Sequence, residues 1–173
     1  MEAGKFIGKY KGTVLFNIDP ELRGRLMLTV TDVYGLIPSP WAEPCVPLAG
    51  PVGPPMGVYM VPPIGTPVWV EFEKGNQDFP IWVGCRWGAP TSVPPLALLG
   101  LPVSPNIVLQ TMLQNGIVIS DLPGPTGGIM LKSTLGATII VNDIGITIQN
   151  GKGASIILAG PTVTINAGAL VVT

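Results

Sequence analysis

The chain has 173 residues, of which 47% are hydrophobic and only 11% are charged, against about 25% charged residues in an ordinary soluble domain. The formal net charge is −1 and there is no histidine. The composition therefore argues against a protein that attracts nucleic acid or anionic lipid through a basic field, and against most general-base, catalytic-triad and zinc sites. So little charge predicts a surface that is buried between chains or built from Thr, Ser, Asn and Gly.

The distribution of charge divides the chain into two parts. Of its nine basic and ten acidic residues, 15 lie in the first 100 positions, and no ionisable side chain follows Lys152. This pattern predicts an ordinarily polar N-terminal domain and an uncharged C-terminal one. We assign residues 1–87 to a barrel domain, 88–115 to a proline-rich linker with a first strand, and 116–173 to a β-helical spike.

No targeting or membrane-spanning segment is expected. The N-terminus lacks the apolar run of a signal peptide, and the uncharged stretch 44–70 holds eight prolines and four glycines, which a spanning helix would not tolerate. Two cysteines do not make a disulfide framework. We interpret Cys45 and Cys85 as two buried thiols, and a bridge between them remains the alternative.

The first 87 residues read as an all-β unit. Apolar and polar residues alternate over short segments, the segments stop at Pro, Gly, Asn or Asp, and no window shows a helical period. About five strands in some 80 residues suit a small barrel. The predicted strands span residues 6–17, 24–32, 41–46, 68–76 and 80–87, with an ordered proline-rich loop over 49–65.

The segment after this unit has an unusual composition for a linker. Residues 88–105 contain five prolines and no charge, whereas a solvated linker is normally more polar. We expect this segment to be extended and packed against a surface, that of a neighbouring chain. Ile107 then begins the first strand of the C-terminal unit.

The C-terminal unit reads as a stack of short strands. Between glycines that recur every seven to nine residues, Ile146 and Ile148 alternate with Thr and Gln, and Val163 and Ile165 alternate with Thr and Asn. A repeat this short cannot bury its own apolar face, so each strand must stack on neighbours. Interleaving several chains would supply the missing contacts and would cover open strand edges. The recurring glycines are Gly128, Gly136, Gly145, Gly153, Gly160 and Gly168.

No catalytic, cofactor-binding or metal-binding residues are predicted. Glu71 and Glu73 lie two apart on a strand and are interpreted as a solvated face rather than a glycosidase pair. Trp69 and Trp82 are interpreted as core residues rather than as a stacking platform for bases or sugars. A modest basic cluster fits an acidic partner surface and is weak support for nucleic-acid binding; its members are Lys5, Lys9, Lys11, Arg23 and Arg25.

Several ordered motifs resemble the central spike proteins of contractile tails. This family includes phage baseplate protein V, the VgrG spikes of type VI secretion and the spikes of extracellular contractile injection systems. Five segments resemble the OB-fold domain of these spikes: GKYKGTV from Gly8, RGRL from Arg23, WAEPCVPLAG from Trp41, PIGTPVWVEFEKG from Pro63 and PIWVG from Pro80. The segments that begin at Ile119, Asn142 and Gly160 resemble the short spike of the injection-system branch.

The resemblance implies an all-β homotrimer, with an N-terminal OB-fold barrel followed by an intertwined β-helical needle. Its trimer core would contain Ile146, Ile148, Val163 and Ile165. The implied partners are a baseplate hub protein, a PAAR-like tip protein and possible effector cargo, without nucleic acid. The apolar C-terminal segment would contact the tip protein through Ala169, Leu170, Val171, Val172 and Thr173.

The resemblance also implies a structural role without enzymatic activity or cofactor. Sheath contraction would drive the needle through a target envelope, so that the target membrane is contacted only transiently. The particle would assemble in the cytoplasm and act as a virion or extracellular particle after release. Some related spikes carry a lysozyme insertion or an apical histidine pair that binds iron, and neither is present in this sequence. The alternative function is an OB-fold binding module for sugar or nucleic acid.

Overall fold

The computed structural model describes residues 5–51 and 53–172, which divide into two compact units between Gly88 and Ala89. The described part of the chain contains no helix long and apolar enough to span a membrane. Besides the 3-10 turn Glu73–Gly75, the described residues of the first unit form five strands and one α-helical turn. These are β1 (Tyr10–Phe16), β2 (Met27–Thr29), α1 (Thr31–Tyr34), β3 (Glu43–Pro44), β4 (Pro67–Phe72) and β5 (Pro80–Cys85).

The five strands close into a barrel. β1 pairs antiparallel with both β2 and β4, β4 pairs antiparallel with β5, and β5 pairs in parallel with β3. An antiparallel bridge between Leu26 and Ala42 joins the segments that precede β2 and β3 and completes the circuit. The predicted all-β barrel is confirmed, and this pairing order is that of an OB fold.

Alternation along the strands fills the barrel. In β4, Val68, Val70 and Phe72 point into a core where Trp82 is also buried, with its indole N–H donating to the Gly24 carbonyl at 3.1 Å. The core interpretation of Trp82 is therefore confirmed. The core interpretation of Trp69 is wrong. Trp69 lies between the inward-facing Val68 and Val70, so its side chain points outward, where the Arg86 guanidinium is 5.9 Å from its ring centroid.

Two further expectations differ from the structure. The strand predicted over 24–32 ends at Thr29, because the chain turns through α1 and Ser39 folds back to exchange hydrogen bonds with Leu28. The interpretation of Cys45 and Cys85 as buried thiols is also wrong. Both are exposed and free, since each lies where its strand leaves the barrel wall.

A buried carboxylate organises the turn that leads into β2. Asp19 accepts hydrogen bonds from the backbone N–H groups of Glu21, Arg23 and Arg25 at 2.9, 2.9 and 3.2 Å. The Arg25 guanidinium also donates to it, at 3.0 Å from Nε and 2.7 Å from Nη2. The Arg25 hydrogen bond is the main cause that lowers the pKa of Asp19, and the same bond raises the pKa of Arg25.

We expect Asp19→Asn to lower the melting temperature of the barrel at neutral pH more than Glu21→Gln, a change at an exposed carboxylate of the same turn. Asp19 titrates at 3.8 when unperturbed and lower in the fold, so its contribution is present above about pH 4 and is lost as the pH falls further. Thermal denaturation between about pH 2 and pH 7 measures this. Identical pH profiles for the wild type and the Asn variant would contradict the assignment.

The segment predicted as extended contains two short 3-10 turns, Pro90–Ser92 and Pro95–Leu99. Each begins with a proline, whose fixed φ suits the first position of a helical turn. The second turn is tied to the C-terminal sheet by the Asn106 side chain, which donates to the Leu96 carbonyl at 2.8 Å. Proline content therefore favours tight turns here as much as extension.

The second unit is one sheet of eight antiparallel strands, each paired with its neighbours in sequence. Its strand order, β6 to β13, confirms the predicted strand-rich C-terminal unit and the first strand at Ile107. The strands are β6 (Ile107–Gln110), β7 (Gly116–Ser120), β8 (Gly128–Lys132), β9 (Thr138–Asn142), β10 (Gly145–Gln149), β11 (Ser155–Ala159), β12 (Thr162–Ile165) and β13 (Leu170–Val172).

Candidate functional site

One face of the C-terminal sheet consists of two continuous rows of aliphatic residues, which we call the aliphatic face. Directly paired residues of antiparallel strands lie on the same side of a sheet, so the register defines these rows. The first row contains Ile107, Ile119, Ile129, Val141, Ile146, Leu158 and Val163. The second contains Leu109, Ile117, Leu131, Ile139, Ile148, Ile156, Ile165 and Leu170.

The aliphatic face is uncovered in a single copy of the chain. Apart from Val163 and Ile165, which are half-buried, its members expose between 37% and 64% of their surface. A contiguous apolar surface of this extent marks an interaction site, because isolated soluble domains seldom leave one in water. The face therefore requires a partner that is itself apolar.

The opposite face, here called the mixed face, is covered in part by the chain itself. Its central row is entirely apolar in the first four strands and contains two threonines in the next three. Val118 is only 5% exposed, and Met130 and Ile140 are half-buried. The asymmetry identifies the aliphatic face as the one left for a partner. The row is Val108, Val118, Met130, Ile140, Thr147, Ile157 and Thr164.

A trough of about 710 Å³ follows the second row of the aliphatic face. Its walls are formed by Leu131, Ile139, Ile148, Ile156 and Ile165, together with residues of the turns at one end of the strands. Lys132 is the only charged residue in this lining. Walls of this chemistry suit aliphatic side chains of another polypeptide.

The four predicted trimer-core residues lie together on this face. Ile146 and Val163 belong to the first row, and Ile148 and Ile165 belong to the second. Of the predicted tip contacts, Ala169 and Leu170 are exposed. Thr173 and the side chains of Val171 and Val172 lie outside the part that the structure describes. The residue assignments to a trimer core and a tip contact remain predictions.

Sequence reasoning missed the N-terminal half of the aliphatic face. Ile117 and Ile119 alternate with Val118 and Ser120, and Ile129 and Leu131 repeat the pattern one strand later. The signal was therefore present as the same spacing of two. It was obscured because Val118 and its counterparts on the mixed face are also aliphatic, which leaves the inward side ambiguous.

The barrel offers no comparable site among its described residues. Arg23 donates to Glu43 through Nη1 and Nη2, at 3.0 and 2.8 Å, and Lys9 pairs with Glu71. With Arg25 held by Asp19, most of the predicted basic cluster is neutralised within the chain. No group of three or more potential metal ligands occurs in the described ranges. Internal pairing of this kind weakens the case for a nucleic-acid-binding barrel.

In comparisons with known proteins, two family models match the chain, one in each unit. Residues 10–87 match the family model described as the type VI secretion system/phage-baseplate injector OB domain. Residues 106–171 match the phage baseplate V C-terminal trimerisation domain, and this range contains the whole aliphatic face. The chain belongs to the phage baseplate V family. No curated protein matches the chain in the corresponding search.

Membership of the baseplate V family makes this chain a baseplate spike protein that assembles as a homotrimer. The matched families are structural components of phage tails and related particles rather than enzymes. The order of the two matches, barrel first and trimerisation domain second, agrees with the order of the two compact units.

Proposed function

We propose that this protein is the central piercing spike of a contractile injection machine, in which three copies bury their aliphatic faces against one another. The observation that carries the proposal is the exposed double row of aliphatic residues within the matched trimerisation domain. Three such faces supply one another with the apolar cover that a single sheet lacks. The trimer core then contains Ile146, Ile148, Val163 and Ile165, which lie near the middle and end of the two rows.

A piercing role requires a part that transmits force without deforming. A sheet of eight paired strands supplies a continuous ladder of backbone hydrogen bonds, and a shared dry core couples the three ladders. Only four charged residues occur after position 100, and all lie at or beside turns. Little charge must therefore be desolvated when the spike crosses an apolar barrier.

The barrel is the proposed attachment to the baseplate hub protein, and effectors are carried with the spike or behind it. The spike performs no catalysis and needs no cofactor. It assembles in the cytoplasm as part of a phage-tail-like particle, and it touches the target membrane only during puncture. Family membership and the division into two units support this arrangement.

The puncture role is tested with assembled particles that are triggered on dye-loaded target cells or vesicles. Wild-type spike is expected to release dye on contraction, whereas particles carrying Ile148→Asp, which places a charge in the proposed core, are expected not to. Thr147→Asp, one residue away on the mixed face, is the matched control. Dye release at the wild-type rate with a spike that no longer trimerises would refute the proposal.

The exposed C-terminal segment is the proposed seat of the PAAR-like tip protein. Deletion of residues 169–173 is expected to abolish co-purification of the tip protein while the trimer persists, because the aliphatic rows of β6 to β12 remain intact. Affinity capture measures tip binding, and analytical ultracentrifugation confirms the trimer. Undiminished tip binding by the shortened trimer would remove this assignment.

A further inference from the structure

The charged residues of the C-terminal sheet are segregated by sign. Successive turns of the antiparallel sheet lie alternately at the two ends of its strands. One of these two edges, the acidic margin, consists of turns 121–127, 143–144 and 160–161 and carries Asp121 and Asp143. The other, the basic margin, consists of turns 111–115, 133–137, 150–154 and 166–169, with Lys132 at its edge and Lys152 within it.

None of these four charges has an ion partner within the described residues of one copy. Asp121 accepts a hydrogen bond from the Ser104 hydroxyl at 2.5 Å, and Asp143 accepts one from the Gly124 N–H at 3.0 Å. A carboxylate accepts about four hydrogen bonds, so both retain open acceptor positions. The two lysines are likewise free to bind a carboxylate of another molecule.

The two margins match in spacing. Asp121 follows β7 and Asp143 follows β9, so the two acids are separated by two strands along the sheet. Lys132 ends β8 and Lys152 follows β10, which gives the same separation. Each lysine lies about one strand spacing, roughly 4.8 Å, from the level of the preceding acid. One displacement therefore aligns both lysine–aspartate pairs at once.

Exposed aliphatic residues flank the charges on both margins. Met112, Leu113 and Leu135 lie at turns of the basic margin, and Ile144 lies at a turn of the acidic margin, all exposed. Turn tips that face water are normally polar, because Gly, Asn, Asp and Ser favour turns. Both margins thus carry the mixture of apolar contact and unpaired charge that suits an interface continuous with the aliphatic face.

We propose that the basic margin of each copy binds the acidic margin of the next copy around the trimer. Lys132 contacts Asp121 of the neighbouring copy, and Lys152 contacts its Asp143. A cyclic trimer closes through one repeated contact between two different surfaces, and the opposite charges of the two margins provide that complementarity. The inference rests on trimer assembly and is independent of puncture.

The ion pairs select the arrangement of the copies more than they stabilise it. Exposed ion pairs contribute little individually, whereas opposed like charges disfavour wrong pairings. A displacement of one copy by two strands would leave one lysine and one aspartate unpaired in every contact. The pairs therefore specify the axial register of three otherwise uniform aliphatic faces.

Charge reversal tests the proposal in the full-length chain. One variant carries Lys132→Asp and Lys152→Asp, which makes both margins acidic, and a second carries Asp121→Lys and Asp143→Lys, which makes both basic. A third carries all four changes and restores opposite margins with exchanged signs. Asp121→Asn with Asp143→Asn is the control for the local hydrogen bonds, because an amide oxygen still accepts from Ser104 and Gly124.

Trimer dissociation temperatures are measured at low and high salt, with circular dichroism to confirm strand content. Both single-sign variants are expected to dissociate at lower temperature in low salt and to recover in high salt, since salt screens like-charge repulsion. The dissociation temperature of the variant with all four changes is expected to return towards that of the wild type. The proposal would be overturned if the all-acidic and all-basic variants were as stable as the wild type in low salt, or if the variant with all four changes were as unstable as they are.

A defect in the aliphatic core is distinguishable from a defect at the margins. Ile148→Asp is expected to abolish the trimer at every salt concentration, because the charge it buries is shielded from ions. If the basic variant fails to fold, the acidic variant alone decides. Among the described residues Lys152 donates only its backbone N–H, to Asn150 Oδ1, and Lys132 contributes only its place in β8, so neither substitution removes a side-chain hydrogen bond.

Discussion

Ile148→Asp is expected to convert the trimer into monomers or unfolded chain. Ile148 lies in the middle of the second row, between Ile139 and Ile156, and is 40% exposed in a single copy, so the proposed trimer would bury it. Truncation of a buried isoleucine costs about 2–5 kcal/mol per chain. An unpaired carboxylate adds a desolvation cost, and the threefold arrangement brings three of them together.

Thr147→Asp is the matched control, because it places the same residue in the same strand on the mixed face. Both variants share the low strand propensity of aspartate, so the difference between them reports which face is buried. Sedimentation velocity and thermal denaturation measure the outcome. If Thr147→Asp dissociates the trimer and Ile148→Asp does not, the two faces have been assigned the wrong way round.

Gly128→Ala is expected to disrupt the C-terminal sheet. Gly128 has φ +87°, and a Cβ there would lie 2.0 Å from the Val141 carbonyl oxygen and 2.9 Å from the Asn142 Cα. Both are backbone atoms of the adjacent strand, so the alanine forces β8 away from β9. We expect the change to cost about 3 kcal/mol or more, the range in which a single substitution breaks a specific structural element.

Gly136→Ala separates backbone strain from collision. Gly136 has the same φ of +87°, but its nearest atom to an added Cβ is the Gly151 Cα at 3.8 Å. Its cost is expected to be about 1–2 kcal/mol, that of a left-handed conformation alone. Thermal or chemical denaturation of both variants gives the comparison, and equal losses would show that close approach of β8 and β9 is unimportant.

The barrel was readable from sequence where its strands alternate between core and solvent. Val68, Val70 and Phe72 are spaced by two residues and all point inward, so β4 and its bounds were predictable to within a few residues. The outward position of Trp69 follows from the same spacing, but its size and its apolar neighbours suggested burial. The Arg86 guanidinium that lies near its ring comes from the residue after β5, seventeen positions along the chain.

Contacts between residues that are not neighbours in the sequence explain which features of the barrel could not be predicted. The turn at α1 depends on Ser39, which lies eleven positions beyond its partner Leu28. In the sequence Asp19 stands beside Pro20 at the end of a strand, where Asp favours turns, yet in the structure it binds Arg25 and three backbone N–H groups. Local propensity describes such a residue only as turn-favouring, because the geometry of its donors is decided by the folded turn.

The sequence by itself determined that the C-terminal third consists of short strands that cannot enclose a core alone. A period of two, glycines at regular intervals and almost no charge are local properties that no tertiary contact changes. It placed Ile146 with Ile148, and Val163 with Ile165, since residues two apart on a strand share a face.

Only the tertiary structure decided that these residues continue into two unbroken rows, one across β6 to β12 and one across all eight strands, and that acids and bases occupy opposite margins. Both depend on register, which is fixed by hydrogen bonds between strands rather than within them. A shift of one residue in any pair would move that strand's aliphatic residues to the mixed face. Pairing between strands, and not composition, therefore creates the continuous aliphatic face.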